Sequence, residues 1–207
     1  MRNPYKILIF APMKNIVFDL GGVVFARDIK KCTEDFVSFF QFVRAPKMPY
    51  FWEEYDRGTW TLDEVIDHLC TLNQCSREKC ERYIQLSIDM QRPVAPTEAL
   101  IRDLKQAGYK LYVLSNMSRE FIDFLRQFDV YKLFDGEVVS CEEHTVKPEP
   151  EIYRILLDRY ALDPHETLFI DDRQQNIDTA AQFSISGVVF NHADPEQTCA
   201  ALRKMLL

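Results

Sequence analysis

Apolar and polar positions along this chain fall into two regimes that change near residue 93. The first apolar block is Ile16-Val17-Phe18, which ends in Asp19 and is followed by Leu20-Gly21-Gly22-Val23-Val24. A short β-branched and aromatic run predicts a buried strand. From about Asp28 to Arg92 the pattern is helical and contains one glycine, Gly58. Thr61-Leu62-Asp63-Glu64 is a capping box that opens an amphipathic helix through Leu72, and Ser76 can cap another helix running towards Met90. This stretch has no second strand-like run, so it predicts a helical insertion and not a continuation of the sheet.

From Pro93 onwards, helix and strand patterns alternate. Thr97 is placed to cap a helix that Gly108 stops. Residues 110–114 predict a strand ending in Ser115-Asn116, and Ser118 can cap the next helix. Residues 136–140 predict a strand, 150–160 a helix, and 168–170 a strand ending in Asp171-Asp172. A helix over 174–183 and a strand over 187–190 follow. Asp194-Pro195-Glu196-Gln197 then starts the last helix, with a good N-cap and proline at its first position. Repeated β–α units predict a parallel sheet covered on both faces. The expected fold is α/β, a Rossmann-like core over residues 13–27 and 93–207. A helical cap is inserted over 28–92, and residues 1–12 form an N-terminal extension.

Composition narrows the partners. The 207 residues are 47 % hydrophobic and 28 % charged, enough for a packed domain and unlike a disordered chain. The net charge of -7 argues against a nucleic acid or an anionic membrane as partner. It leaves room for a small anionic substrate, because a few N–H groups and one lysine outweigh the global sign locally. No apolar run reaches a membrane span. The apolar core over residues 7–10 is too short for a secretory leader, and Pro12 ends it. Cys32, Cys70, Cys75, Cys80, Cys141 and Cys199 form no C-x-x-C pair and no zinc-spaced cluster. Steps of five from Cys70 to Cys75 to Cys80 do not share one helical face. All six are read as reduced thiols of a cytoplasmic protein.

The candidate chemistry lies at strand ends. Asp19, Ser115-Asn116 and Asp171-Asp172 each close a strand, and Lys147 lies in the loop 145–148. In a parallel sheet these ends share one edge, where open α/β sheets bind ligands. Together they supply a carboxylate nucleophile, a hydroxyl and an amide, a cation and two further carboxylates. Converging carboxylates repel unless a cation sits between them, and hard oxygen donors suit Mg²⁺. Lysine balances a phosphoryl group that Ser115 and backbone N–H groups can bond. Gly21 and Gly22 let the backbone turn tightly and approach an anion. Taken singly, Ser115 could cap a turn, Lys147 could be a solvated loop lysine, and Asp171 or Asp172 could cap a helix. His68, His144, His165 and His192 read as surface or cap residues, with His144 nearest the lysine loop. No G-x-G-x-x-G follows a strand, which disfavours a dinucleotide.

Four segments in order resemble the haloacid dehalogenase-like (HAD) hydrolase superfamily, whose members are mostly phosphatases. They are Val17-Phe18-Asp19-Leu20-Gly21-Gly22-Val23, Val113-Leu114-Ser115-Asn116, Val146-Lys147-Pro148-Glu149-Pro150, and Phe169-Ile170-Asp171-Asp172-Arg173-Gln174-Gln175-Asn176-Ile177. Arg57-Gly58-Thr59 before a helix looks like the small helical cap, of C1 type, in this superfamily. The nearest likeness is the sugar-phosphate branch that includes glucose-1-phosphate phosphatases. The resemblance implies a Mg²⁺-dependent phosphatase acting on a small phosphorylated metabolite. It implies that Asp19 attacks phosphorus and binds Mg²⁺ with the Gly21 carbonyl and Asp172, while Asp171 and Asn176 support the metal shell. Leu20, Gly21, Ser115, Asn116 and Lys147 would hold the phosphoryl oxygens.

One position departs. Most phosphatases of this superfamily carry a second aspartate two residues after the nucleophile as general acid and base, and here that position is Gly21. A sugar 1-phosphate leaving group needs less protonation. A cap residue or a metal-ordered water could substitute, with Glu53, Glu54 and Tyr55 as the candidates from the cap by their polar chemistry. A slow or non-catalytic phosphate-binding relative is the alternative, and a 2-haloacid dehalogenase a further one. The aromatics Tyr50, Phe51, Trp52, Tyr55 and Trp60 are read as cap core and not as a sugar platform.

Overall fold

The computed structural model describes residues 13–28, 32–45 and 48–207; the extension read for residues 1–12 lies outside them. Seven strands occur among the described residues: β1 Asn15–Phe18, β2 Phe25–Ala26, β3 Arg92–Pro93, β4 Lys110–Ser115, β5 Gly136–Val139, β6 Thr167–Asp171 and β7 Ser186–Val189. Five of them form one parallel sheet in the order β5-β4-β1-β6-β7. The central β1 sets Ile16 beside Leu111 on one side and Leu168 on the other.

Successive strand residues point to opposite faces, and both faces are buried. Ile16, Phe18, Leu111, Val113, Leu168 and Ile170 share one apolar cluster. It is covered by Leu100, Ile101 and Leu104 of α5 (Ala95–Gln106) and by Cys199 and Leu202 of α10 (Pro195–Leu206). Val17, Tyr112, Leu114 and Phe169 face the other way. Ile152, Tyr153 and Leu156 of α8 (Pro150–Tyr160) and Ile177 and Ala180 of α9 (Gln174–Gln182) cover them. This double burial is why the strands read as continuous apolar runs. It also leaves their carboxyl ends as the place where polar side chains can collect.

The antiparallel pair β2–β3 sets Phe25 opposite Pro93, so the chain leaves for the helical segment and returns from it side by side. That segment holds α1 (Glu34–Phe39), α2 (Tyr50–Arg57), α3 (Leu62–Asn73) and α4 (Arg77–Asp89). Phe36, Phe39, Phe40, Phe51, Trp52 and Tyr55 pack with Val65, Ile66 and Leu69 in a separate core. The capping box forms: Glu64 N–H donates to Thr61 Oγ1 at 3.3 Å, and Thr61 N–H to Glu64 Oε2 at 2.7 Å. Ser76 caps α4 by accepting from Lys79 N–H. Of the five aromatics read as core, Phe51, Trp52 and Tyr55 are buried, Trp60 is half-buried, and Tyr50 is 69 % exposed.

Three local readings change. Thr97 is no cap: α5 starts at Ala95 with a proline in its first turn, whose fixed φ and missing N–H suit that place, and Thr97 is fully buried inside it. The strand over 136–140 ends at Val139, and Ser140–Glu143 turns into a short helix, α7. Cys70, Cys75 and Cys80 do meet, with Cys80 Sγ 3.3 Å from each of the other two sulfurs. Five-residue steps separate faces only within one helix, and here the turn between α3 and α4 folds the three together. Among the described residues, no helix is long and apolar enough to cross a membrane.

Candidate active site

Asp19 follows β1 directly, and its N–H donates to Ile170 O at 2.9 Å, continuing the sheet pattern one residue further. The chain then folds back on itself: the N–H groups of Val24 and Phe25 both donate to Leu20 O, at 2.9 and 2.8 Å. Gly22 makes this turn with φ +77°, and a Cβ there would lie 3.0 Å from Asp172 Oδ2. Backbone conformation and the nearness of Asp172 both require glycine at 22. Position 21 is different, since a Cβ on Gly21 would meet nothing within 4 Å.

One oxygen of Asp19 is held by three donors. Oδ1 accepts from Leu20 N–H at 2.7 Å, from Ser115 Oγ at 2.9 Å and from Lys147 Nζ at 2.9 Å. Lys147 Nζ also donates to Asp171 Oδ2 at 2.7 Å and to Leu114 O at 2.8 Å. The lysine is fixed by its backbone as well: its N–H donates to Asn116 Oδ1 at 2.7 Å, and its carbonyl accepts from Asn116 Nδ2 at 2.9 Å. Asn116 therefore spends its side chain on placing Lys147. Asp171 is filled with donors, taking Asn176 Nδ2 at 2.9 and 3.0 Å and Arg173 N–H at 2.8 Å besides the lysine. All nine residues singled out by sequence thus lie on one edge: Asp19, Leu20, Gly21, Ser115, Asn116, Lys147, Asp171, Asp172 and Asn176. His192, not His144, is the histidine beside this edge, with Nδ1 3.8 Å from Asp172 Oδ2. His144 instead sits at the end of α7, with Nδ1 3.2 Å from Arg57 O.

The electrostatics are unbalanced. Asp19 is 8 % exposed, Lys147 5 % and Asp171 0 %. Burial pushes the Asp19 carboxyl up to about 7; Lys147 opposes the rise, and Asp171 and Asp172 add to it. Asp172 is raised as well, by burial and then by Asp171. Burial works against the charge on Lys147, but Asp171 and Asp19 outweigh it and hold the lysine above its usual range. Three carboxylates share one ammonium. Asp19, Asp171 and Asp172 each offer an oxygen within 4.8 Å of the others. Hard oxygen donors with surplus negative charge fit a small divalent cation such as Mg²⁺.

The helical segment reaches this edge through the end of α2, a contact not read from the sequence. Arg57 donates to both carboxylate oxygens of Glu149, each at 2.8 Å, and Glu149 also accepts from Thr145 Oγ1 and Val146 N–H in the lysine loop. Of the polar candidates on α2, Glu53 and Glu54 pair with Arg57, and Tyr55 donates to Glu120 of α6 (Arg119–Leu125) at 2.6 Å. The next residue, Asp56, is turned towards the site, where its carboxyl feels the charges of Arg173 and Asp19 and the Ser118 backbone N–H. The only sequence signal for it was its place just before Arg57-Gly58, since a helix pattern does not say which polar face meets the sheet edge.

The profile of the haloacid dehalogenase-like hydrolase family matches residues 13–184. The chain is 26 % identical to the sesquiterpene phosphatase astK of Aspergillus oryzae, over 93 % of this chain and 96 % of that protein. It is 28 % identical to the D-ribitol-5-phosphate phosphatase of Bacteroides thetaiotaomicron, over 80 % of this chain and 85 % of that one. A solved HAD-family enzyme from the same bacterium, in complex with magnesium and inorganic phosphate, superposes with TM-score 0.68 at 25 % identity, covering 87 % of this chain and 95 % of that one. The family match spans the sheet up to β6, the helical segment and the strand ends that carry Asp19, Ser115 and Asp171, and the chain belongs to the haloacid dehalogenase-like hydrolases.

Proposed function

We propose that the protein is a Mg²⁺-dependent phosphomonoester hydrolase that works through a phosphoaspartate on Asp19, with a small sugar phosphate or similar phosphorylated metabolite as substrate. The observation that carries this reading is the buried Lys147, which bridges Asp19 and Asp171 beside a third carboxylate, Asp172. The phosphatase names among the relatives and the magnesium and phosphate in the Bacteroides enzyme support it.

Asp19 is placed for attack. Three donors hold Oδ1, and among the described residues nothing donates to Oδ2. That oxygen bonds phosphorus while the ester oxygen leaves, and water then frees phosphate and restores the carboxylate. Ser115 Oγ and Lys147 Nζ turn from Asp19 to the phosphoryl oxygens, joined by the N–H groups of Leu20, Gly21 and Asn116. Asp19, the Gly21 carbonyl and Asp172 would hold Mg²⁺, which neutralises the phosphoryl charge. Asp171 is saturated by protein donors, so it orients neighbours, with Asn176 fixing it. Residues 28–92 act as a cap that closes over the edge and excludes water. The six free cysteines fit the reducing cytoplasm. The same surplus of carboxylates disfavours a 2-haloacid substrate, whose own carboxylate they would repel.

The test is phosphate release from a panel of sugar 1-phosphates, sugar 6-phosphates and aryl phosphates, with Mg²⁺ and with chelator. Turnover that needs Mg²⁺ is expected. Absence of turnover on every ester, with phosphate still binding, would instead indicate a binding module.

A further inference from the structure

Expelling an alkoxide needs a proton at the leaving oxygen, and position 21 carries none to give. We infer that Asp56, delivered by the helical segment, is the general acid and base of the reaction. This inference rests on the phosphatase reading.

The backbone of Asp56 is tied through Ser140 to the loop that follows the phosphate-binding candidates Ser115 and Asn116. Its backbone carbonyl accepts from Ser140 Oγ, and the same hydroxyl accepts from Met117 N–H at 2.9 Å. Its carboxyl feels the Ser118 backbone N–H, which favours the charged form. The end of α2 presses hard against α7: a Cβ on Gly58 would lie 2.5 Å from Cys141 O. Asp56 is thus held at the rim of the Asp19 site by packing and by the hydrogen bond to its backbone carbonyl.

The charges it feels come from three directions. Arg173, next to Asp172 before α9, attracts its carboxylate; Asp19 at the end of β1 and Glu53 on α2 repel it. From α7, His144 approaches the neighbouring Arg57 carbonyl, and from α6, Glu120 is engaged by Tyr55. Burial pushes the Asp56 carboxyl up to about 7 against the pull of Arg173. A carboxyl poised near neutral pH can both give and take a proton. The other acids on α2 and in the lysine loop are committed to Arg57.

In the first step Asp19 forms a bond to phosphorus, the bond from phosphorus to the ester oxygen breaks with its electron pair on oxygen, and the Asp56 proton goes to that oxygen. In the second, the Asp56 carboxylate takes a proton from water as the water oxygen bonds phosphorus. The bond to Asp19 breaks, phosphate leaves, and Asp56 is protonated again.

The test compares p-nitrophenyl phosphate, whose phenolate leaves without a proton near neutral pH, with phenyl phosphate, nearly the same shape but with a far more basic leaving oxygen. Asp56→Asn should lower kcat on phenyl phosphate by about 10²–10⁴-fold and on p-nitrophenyl phosphate far less. Adding Gly21→Asp, for which position 21 has room, should restore phenyl phosphate turnover in the Asp56→Asn protein. Equal losses on both esters, or no loss on either, would overturn the role of Asp56 and leave the phosphatase reading standing. No turnover of either ester by the unmodified protein would overturn both. If Asp56→Asn fails to fold, Asp56→Glu keeps the carboxyl. A steeper leaving-group dependence in a folded Asp56→Ser protein than in Asp56→Glu then supports the role, and equal slopes overturn it.

Discussion

Lys147 at the sheet edge and Arg77 on the helical segment each bond three oxygen-bearing partners, in opposite surroundings. Lys147 is 5 % exposed and reaches Asp19, Asp171 and Leu114 O. Arg77, with its side chain 44 % exposed, reaches Asp63, Asp67 and Glu81. Water would stabilise the charge on Arg77 without those partners, so its pairs change little. Lys147 has lost its water, and its charge stands only because two carboxylates replace it. The edge also gathers three carboxylates, Asp19, Asp171 and Asp172, around the single charge of Lys147, a cost that packing does not explain and a bound cation would offset. The helical segment is held by its aromatic core, whereas the sheet edge is held in a state that suits a ligand.

This contrast can be broken in order of size. Lys147→Met removes the cation and leaves two acids buried against each other. The expected loss is about 3–5 kcal/mol of unfolding free energy, read by urea denaturation. A loss under 1 kcal/mol would show that the acids simply take up protons.

Mg²⁺ should stabilise the protein. At roughly one hundred times its Kd, linkage gives about 2.7 kcal/mol, seen as a rise in Tm by calorimetry. Asp172→Asn should abolish most of that rise, and an undiminished rise would place the cation elsewhere.

Glu149→Gln should have a smaller and pH-dependent effect. The Arg57 guanidinium beside Glu149 holds its carboxyl down to about 2, against an unfolded value of 4.5. A depressed acid contributes stability above its unfolded value and loses it as pH falls towards its folded one. The difference between wild type and Glu149→Gln should be constant from pH 7 to 4.5 and vanish towards pH 2. With the Glu149 side chain 42 % exposed, solvent screening limits it to about 1 kcal/mol. A difference that grows on acidification would contradict the ion pair. Smallest of all, Arg77→Ala should leave Tm unchanged within error; a clear drop would make the exposed network structural.

Legibility in the sequence followed the same divide. Asp19, Ser115 and Asp171 stand where apolar runs stop, and strand ends of a parallel sheet share an edge, so their meeting could be read from pattern alone. Lys147 came with its motif, but its clamp by Asn116 needs two loops in three dimensions. Asp56 and the Arg57–Glu149 pair were invisible because they depend on how α2 docks on α7, and a helix's own periodicity says which residues share a face, not what that face meets. The three cysteines were misread for the related reason that a turn, not a helix, joins them. Thr97 was passed over for Val94 because a proline two residues before the expected first helical position moved the start of α5.

The most direct test of the central claim is phosphate release by wild type and Asp19→Asn, side by side, with Mg²⁺ and with chelator. The account predicts turnover only for wild type with Mg²⁺, and a loss on the order of 10⁶-fold in the variant, as for other covalent nucleophiles. Comparable Mg²⁺-dependent turnover by Asp19→Asn would contradict it.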